Sequence, residues 1–133
     1  MIETEGRRAI VLGYGRSGRA AASYLKRHGT SVVVVDRADT PELRSALERD
    51  GLAGWLGQRP RPSLDGVDFL VVSPGVAWDA PLAEAARERR IEVTSEIDLF
   101  FDLCPCPIAG ITGTNGKTTT TALTAEVFRA GGL

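Results

Sequence analysis

Two patterns of apolar residues alternate along the chain: continuous apolar runs, and segments with apolar residues at helical spacing. Three runs are almost wholly apolar and rich in β-branched residues: RRAIVLG, SVVVVD and VDFLVVSPG. Such runs are typical of strands in a parallel sheet whose two faces are both covered. IEVTS predicts one more, shorter strand. The segments between the runs carry apolar residues at helical spacing, which predicts helices over residues 17–28, TPELRSALERDG, APLAEAARERR and SEIDLFFDL.

Residues with known preferences for helix ends support these helices. Thr40 is suited to cap the second helix, Pro41 to occupy its first position and Gly51 to end it. Ser95 is expected to cap the helix in SEIDLFFDL, and His28 to lie at the C-terminal end of the first helix. The order β-α-β-α-(β)-β-α-β predicts a Rossmann-like, doubly wound parallel sheet.

The segment CPCP interrupts this rhythm and predicts a boundary between domains. We expect a Rossmann-like domain over residues 1–104 and the beginning of a second domain over residues 105–133. PIAGITG predicts a new strand, and Lys117 to Ala130 a new helix that ends at Gly131 and Gly132. Cys104 and Cys106 form only a C-x-C pair without a nearby histidine, so linker or packing roles are favoured over metal or redox chemistry.

Composition narrows the class of protein without identifying it. The chain has 133 residues, of which 43% are hydrophobic and 25% charged, with a net charge of −1. This balance is that of a globular domain and gives no general attraction to nucleic acid or to an anionic membrane. Its apolar runs are too short to span a bilayer, and MIETEGRR lacks the apolar core of a signal peptide. We therefore expect a cytoplasmic protein.

The first glycine loop, GYGRSG, lies between a predicted strand and a predicted helix. Gly13 permits the tight turn, Gly15 lets backbone approach a diphosphate, and Gly18 lets the helix pack on the strand. Asp36 ends the next strand, where a nucleotide-binding fold places a carboxylate towards ribose or base. Nucleotide binding is favoured over a purely structural turn. The tryptophans, Trp55 and Trp78, could stack on a base, although packing is the favoured interpretation.

The second glycine loop, GTNGKTT, has the G-K-T core of a polyphosphate site. Backbone amides would surround phosphate oxygens, the Lys117 ammonium would lie between β- and γ-phosphates, and Thr118 could ligate Mg²⁺. The strict P-loop pattern requires glycine where this chain has Ile111. Glycines that merely turn a strand into a helix would not explain the adjacent lysine and hydroxyl.

The motifs GYGRSG, SPGV, SEIDLF and TGTNGKTT, in that order, resemble the Mur ligase family, and within it the D-glutamate-adding members. In that family Ile111 is no anomaly. The resemblance implies the front of a longer, three-domain enzyme that uses ATP and Mg²⁺ to join D-glutamate to UDP-N-acetylmuramoyl-L-alanine through an acyl phosphate. It also implies that the parent enzyme is a monomer, with neither nucleic acid nor membrane as a partner, and that these residues alone are inactive.

The resemblance also assigns site residues. The diphosphate would meet the first loop, with Ser17 as a hydroxyl donor, and the uracil and ribose would lie by Asp36 and Arg37. Arg37 stands one place before the family's basic residue, so a solvated side chain remains an equal alternative. SPG would border the substrate or form a plain turn. Lys117 would be catalytic and Thr118 a metal ligand. The substrate-binding set is Gly15, Arg16, Ser17, Gly18, Asp36, Arg37, Ser73, Pro74 and Gly75; the ATP-binding set is Gly113, Thr114, Asn115, Gly116, Lys117, Thr118 and Thr119.

Two other functions remain open at this point. An NAD-dependent dehydrogenase would explain the first loop and Asp36, but it would not explain GTNGKTT. A non-catalytic UDP-sugar-binding module would use the first loop alone. The apolar stripe Leu123, Val127 and Phe128 on the last helix predicts that these residues pack on the first domain or make the chain self-associate.

Overall fold

The computed structural model describes residues 3–57 and 62–132. The chain divides into two compact units, Met1–Leu103 and Cys104–Leu133. Part of the predicted loop GQRPRPSLDG, residues 58–61, lies outside the described residues.

The first unit is a parallel sheet with helices on both faces. Its sheet has the order β3-β2-β1-β4-β5, and every neighbouring pair of strands is parallel. This is the doubly wound α/β fold that the sequence predicts, so the fold class is confirmed. In chain order the elements are β1 (Arg8–Leu12), α1 (Arg16–Arg27), β2 (Ser31–Asp36), α2 (Pro41–Asp50), β3 (Ala53–Leu56), β4 (Phe69–Val72), α3 (Pro81–Glu88), β5 (Glu92–Ser95) and α4 (Glu96–Leu103).

The hydrophobic core forms two layers, one on each face of this sheet. Val11, Val34 and Val71 belong to the layer that contains residues of α1, α2 and α4. Leu12 and Val72 belong to the other layer, which contains residues of α3. Because both faces of the central strands are covered, successive residues must all be apolar, which explains the unbroken runs in the sequence.

The helix ends follow the sequence signals. The Thr40 hydroxyl accepts a hydrogen bond from the Leu43 amide at 3.2 Å, and Gly51 ends α2 in the left-handed conformation with φ of +61°. The Ser95 hydroxyl accepts from the Asp98 amide at 3.1 Å. His28 follows the last residue of α1 as its C-cap, at the helix end where the sequence placed it, and its ring stacks on Tyr24.

The second unit contains α5 (Lys117–Ala130), which has the predicted bounds. The predicted strand in PIAGITG is wrong, because residues 107–113 form neither strand nor helix. A strand is held by hydrogen bonds to a neighbouring strand, and the described part of the second unit contains no strand that could pair with it. Leu123, Val127 and Phe128 are exposed along α5, and self-association through them stays a prediction.

Candidate functional site

A cleft of about 990 Å³ lies at the carboxyl ends of β1, β2 and β4. The connection after β1 leads to β2 on one side, while that after β4 leads to β5 on the other. Ligands of doubly wound sheets bind at such a switch point. The structure brings all nine residues of the predicted substrate-binding set into the lining of this cleft: Gly15, Arg16, Ser17, Gly18, Asp36, Arg37, Ser73, Pro74 and Gly75.

The three glycines of the first loop have different structural roles. Gly13 has a φ of +91°, which an L-residue with a side chain rarely adopts. A methyl group on Gly18 would lie 1.9 Å from the Gly13 carbonyl oxygen, so α1 can approach β1 only with glycine there. A methyl group on Gly15 would have no neighbour within 4 Å among the described residues. Gly15 is therefore where backbone is open to a ligand.

Ser73 connects the SPG turn to the first loop. Its side chain is buried, and its hydroxyl donates a hydrogen bond to the Gly13 carbonyl oxygen at 2.9 Å. Pro74 and Gly75, which follow it, are exposed in the lining of the cleft. The turn thus presents Pro74 and Gly75 to a ligand, while the Ser73 hydroxyl is already committed to holding the loop.

Asp36 connects the first loop to the end of β2. Its Oδ2 accepts a hydrogen bond from the Tyr14 amide at 2.7 Å, and its Oδ1 accepts from the Ala38 amide at 2.9 Å. Each carboxylate oxygen keeps a second acceptor position. The carboxylate can therefore fix the loop and still accept a hydrogen bond from a ligand hydroxyl. Arg37, the next residue, is exposed at the rim.

A polar cluster beside the first loop escaped the sequence reasoning. The buried Tyr14 donates its hydroxyl to Asp50 Oδ2, and the Arg19 guanidinium donates to both Asp50 carboxylate oxygens, at 2.6 and 2.9 Å. Hydrogen bonds from Arg19 and Tyr14 hold the pKa of Asp50 at about 2. Burial, reinforced by Asp50, raises the pKa of Tyr14 well above its usual value. These residues lie on separate elements, so no local sequence pattern could have connected them.

The second loop is built differently. Gly113 and Gly116 have φ of +153° and +78°, and no side chain caps the N-terminus of α5 in the described part of the second unit. The Lys117 ammonium donates to the Gly113 carbonyl oxygen at 2.6 Å. Thr118 is exposed. An uncapped helix N-terminus beside an ammonium and a hydroxyl suits a phosphate group, so these residues fit a nucleotide polyphosphate.

Other kinds of site are absent from residues 3–57 and 62–132. No group of three or more His, Cys, Asp or Glu side chains is placed to hold a metal ion there. Cys104 and Cys106 are free thiols. No helix within the same residues has the length and apolar character needed to cross a membrane.

The fold and the cleft define the class of protein first. A doubly wound parallel sheet, with a glycine loop after β1 and a carboxylate ending β2, has the architecture of a Rossmann-like α/β domain. The chain belongs to the Mur ligase family: the profile described as "Mur ligase MurD-like, N-terminal domain" matches residues 7–95. The family resemblance inferred from the motifs is thereby confirmed.

The relatives found by sequence similarity bear the names of ligases. A UDP-N-acetylmuramoylalanine–D-glutamate ligase of Microcystis aeruginosa is 49% identical over 95% of this chain, and one of Synechocystis is 48% identical over 94%. The chain spans 29% of the length of each. Among solved structures, a pseudomurein peptide ligase type C from Methanothermus fervidus aligns with a TM-score of 0.62 and 26% identity, covering 86% of this chain and 24% of that one.

Proposed function

We propose that this chain forms the UDP-substrate-binding part of an ATP-dependent ligase that joins D-glutamate to UDP-N-acetylmuramoyl-L-alanine in peptidoglycan synthesis. The observation that carries the proposal is the cleft, in which GYGRSG, Asp36 and SPG converge at the switch point of the sheet. The names of the Microcystis and Synechocystis relatives support the same reaction.

In this proposal the diphosphate lies at the N-terminus of α1. The amides of residues 15–18 point towards it, the Ser17 hydroxyl donates a hydrogen bond, and the exposed Arg16 adds positive charge. Asp36 accepts from the ribose or uracil beside Arg37, while Pro74 and Gly75 border the sugar. The order of these groups follows the cleft from β4 through β1 to β2.

We assign ATP to the second loop. Residues 105–133, which contain this loop, would be the start of an ATP-binding domain. The amides of Gly113, Thr114, Asn115, Gly116 and Thr119 would surround the phosphates, and the Thr118 hydroxyl would ligate Mg²⁺. Lys117 would release the Gly113 carbonyl oxygen, to which it now donates, and offset the charge that develops during phosphoryl transfer. Bound ATP would supply the activation of the L-alanine carboxylate that lets the D-glutamate amine form the amide.

The alternatives differ in what the first loop binds and what the second loop does. A dehydrogenase would prefer NAD⁺ in the cleft and would leave Lys117 without a role. A non-catalytic module would bind the UDP-sugar without any use of ATP. The first of these is tested directly by the nucleotide preference of this chain.

Calorimetry on the 133-residue chain tests the proposed function. We expect UDP-N-acetylmuramoyl-L-alanine to bind more tightly than UDP, and UDP more tightly than NAD⁺. Asp36→Ala should weaken UDP binding by about 1–3 kcal/mol, because a charged acceptor and a contact that orders the loop are both lost. Tighter binding of NAD⁺ than of UDP would refute the proposal.

Asp68 offers a matched control for this variant. Its carboxylate also accepts a hydrogen bond from a backbone amide, that of Arg8, at 2.8 Å. Arg8 begins β1, so Asp68 lies at the opposite edge of the sheet from the cleft. Asp68→Ala should therefore leave the affinity for UDP unchanged even where it lowers the stability of the fold.

A further inference from the structure

The cleft continues beyond Asp36 to the outermost strand, where Trp55 is half-buried in its wall. Trp55 of β3 is the register partner of Val35 in β2, the residue directly before Asp36. Paired residues of neighbouring parallel strands project to the same face of a sheet. Val35 and Trp55 both line the cleft, so the indole lies one strand outside the carboxylate on a shared surface.

The geometry of the cleft indicates the direction in which a bound nucleoside diphosphate would run. A nucleoside diphosphate whose phosphates lie at residues 15–18 and whose ribose lies at Asp36 runs from β1 to β2. The next strand outwards in the sheet is β3. Trp55, Gly57 and Pro62 line the cleft there. A base attached to that ribose on its outward side would therefore reach the indole.

The residues that line the cleft at β3 suit a flat ring more than a charged group. Each Asp36 carboxylate oxygen accepts one backbone hydrogen bond, from Tyr14 or Ala38, and its remaining acceptor position can meet an edge of the ribose or base but not the flat face of the base. An indole offers a broad π-face, and base–aromatic stacking is a strong and common source of nucleotide affinity. The base thus obtains affinity from the wall of the cleft.

We propose that Trp55 stacks on the pyrimidine base of the bound nucleoside diphosphate and supplies a large part of the affinity for the base. The proposal rests on the proposed function, since it takes UDP as the occupant of the cleft. The sequence alone favours packing as the role of Trp55. The proposal replaces that role with a contact to the bound base.

The two tryptophans allow a spectroscopic test with matched variants. Trp78→Phe leaves Trp55 as the sole tryptophan, and Trp55→Phe leaves Trp78, which stacks under the Arg87 guanidinium 4.6 Å from its ring centroid. Both chains are excited at the red edge of the indole band, where uracil does not absorb. We expect UDP to quench the Trp55-only chain saturably, with the midpoint that calorimetry gives, and to leave the Trp78-only chain unchanged. Pyrophosphate, which lacks a base, should quench neither.

Affinity supplies the second measurement. Trp55→Leu, which keeps an apolar residue in β3, should weaken UDP binding roughly tenfold, within the range that loss of base stacking produces. Its affinity for pyrophosphate should not change. If the leucine variant fails to fold, the fluorescence of the Trp55-only chain decides the matter alone.

The outcomes separate this inference from the proposed function. Calorimetric binding of UDP without quenching of the Trp55-only chain overturns the stacking and leaves the proposed function standing. Equal quenching of both single-tryptophan chains overturns it as well. Absence of any UDP binding in calorimetry overturns the proposed function, and the stacking with it.

Discussion

The two glycine loops differ in how much structure surrounds them. The loop at residues 13–18 follows a central strand, and Ser73 and Asp36 fasten it to the ends of two other strands. The loop at residues 113–119 is exposed. Within it, the Lys117 ammonium donates a hydrogen bond to the Gly113 carbonyl oxygen, so this contact joins two residues of the loop itself. Both sequences have the glycines of a phosphate loop, yet the first loop is held from three strands and the second is not.

This comparison shows that glycine spacing alone does not organise a phosphate site. Glycines permit the turn, but they also leave the backbone with many accessible conformations. Side chains from other elements must select one of them, as Ser73 and Asp36 do in the first loop. The conformation of a phosphate loop therefore depends partly on residues that lie far from it in the sequence.

The largest effect is expected from crowding the first loop. Gly18→Ala would place a methyl group 1.9 Å from the Gly13 carbonyl oxygen and 2.5 Å from Ser73 Oγ, so α1 must move away from β1. We expect a loss of about 3 kcal/mol or more in the free energy of urea unfolding. The matched variant Gly15→Ala should unfold like the wild type, because its methyl group would have no described atom within 4 Å. Similar stabilities of the two variants would contradict the account of this loop.

A smaller effect is expected from removing one hydroxyl in each unit. The Ser73 hydroxyl is buried and bonds the Gly13 carbonyl, whereas the Thr121 hydroxyl bonds the Lys117 carbonyl at 2.8 Å on an exposed helix. Ser73→Ala should cost about 1–3 kcal/mol of unfolding free energy, because a buried acceptor loses its partner. Thr121→Ala should stay within about 0.5 kcal/mol of the wild type, since water replaces the lost bond. The comparison fails if urea denaturation gives equal losses for both.

Sequence reasoning was most successful where the signal was local. Apolar runs predicted the central strands, and the bounds of α5 and the cap of α2 at Thr40 followed from residues within one turn. The strand in PIAGITG failed for the opposite reason: strand formation depends on a neighbouring strand, which the described part of the second unit does not contain.

The candidate site shows the same division. Its members could be selected from motifs, and the doubly wound topology then places GYGRSG, Asp36 and SPG at one edge of the sheet. The contacts among them could not be predicted. A serine in SPG gives no sign that its hydroxyl will bond a carbonyl sixty residues earlier, and the nucleotide roles of these residues stay predictions.

The smallest effect is expected from titrating the polar cluster beside the first loop. Hydrogen bonds from Arg19 and Tyr14 lower the pKa of Asp50 from 3.8 to about 2 in the folded chain. A carboxyl whose pKa is lower when folded adds stability above the unfolded value, and this contribution disappears as pH falls through the folded value. The advantage of the wild type over Asp50→Asn in urea midpoint should therefore be constant above about pH 5 and shrink between about pH 4 and pH 2. Glu126→Gln, which alters the exposed pair with Arg129 on α5, should shift the midpoint little at any pH. A wild-type advantage that does not change with pH would show that the Asp50 charge is not what connects α2 to the first loop.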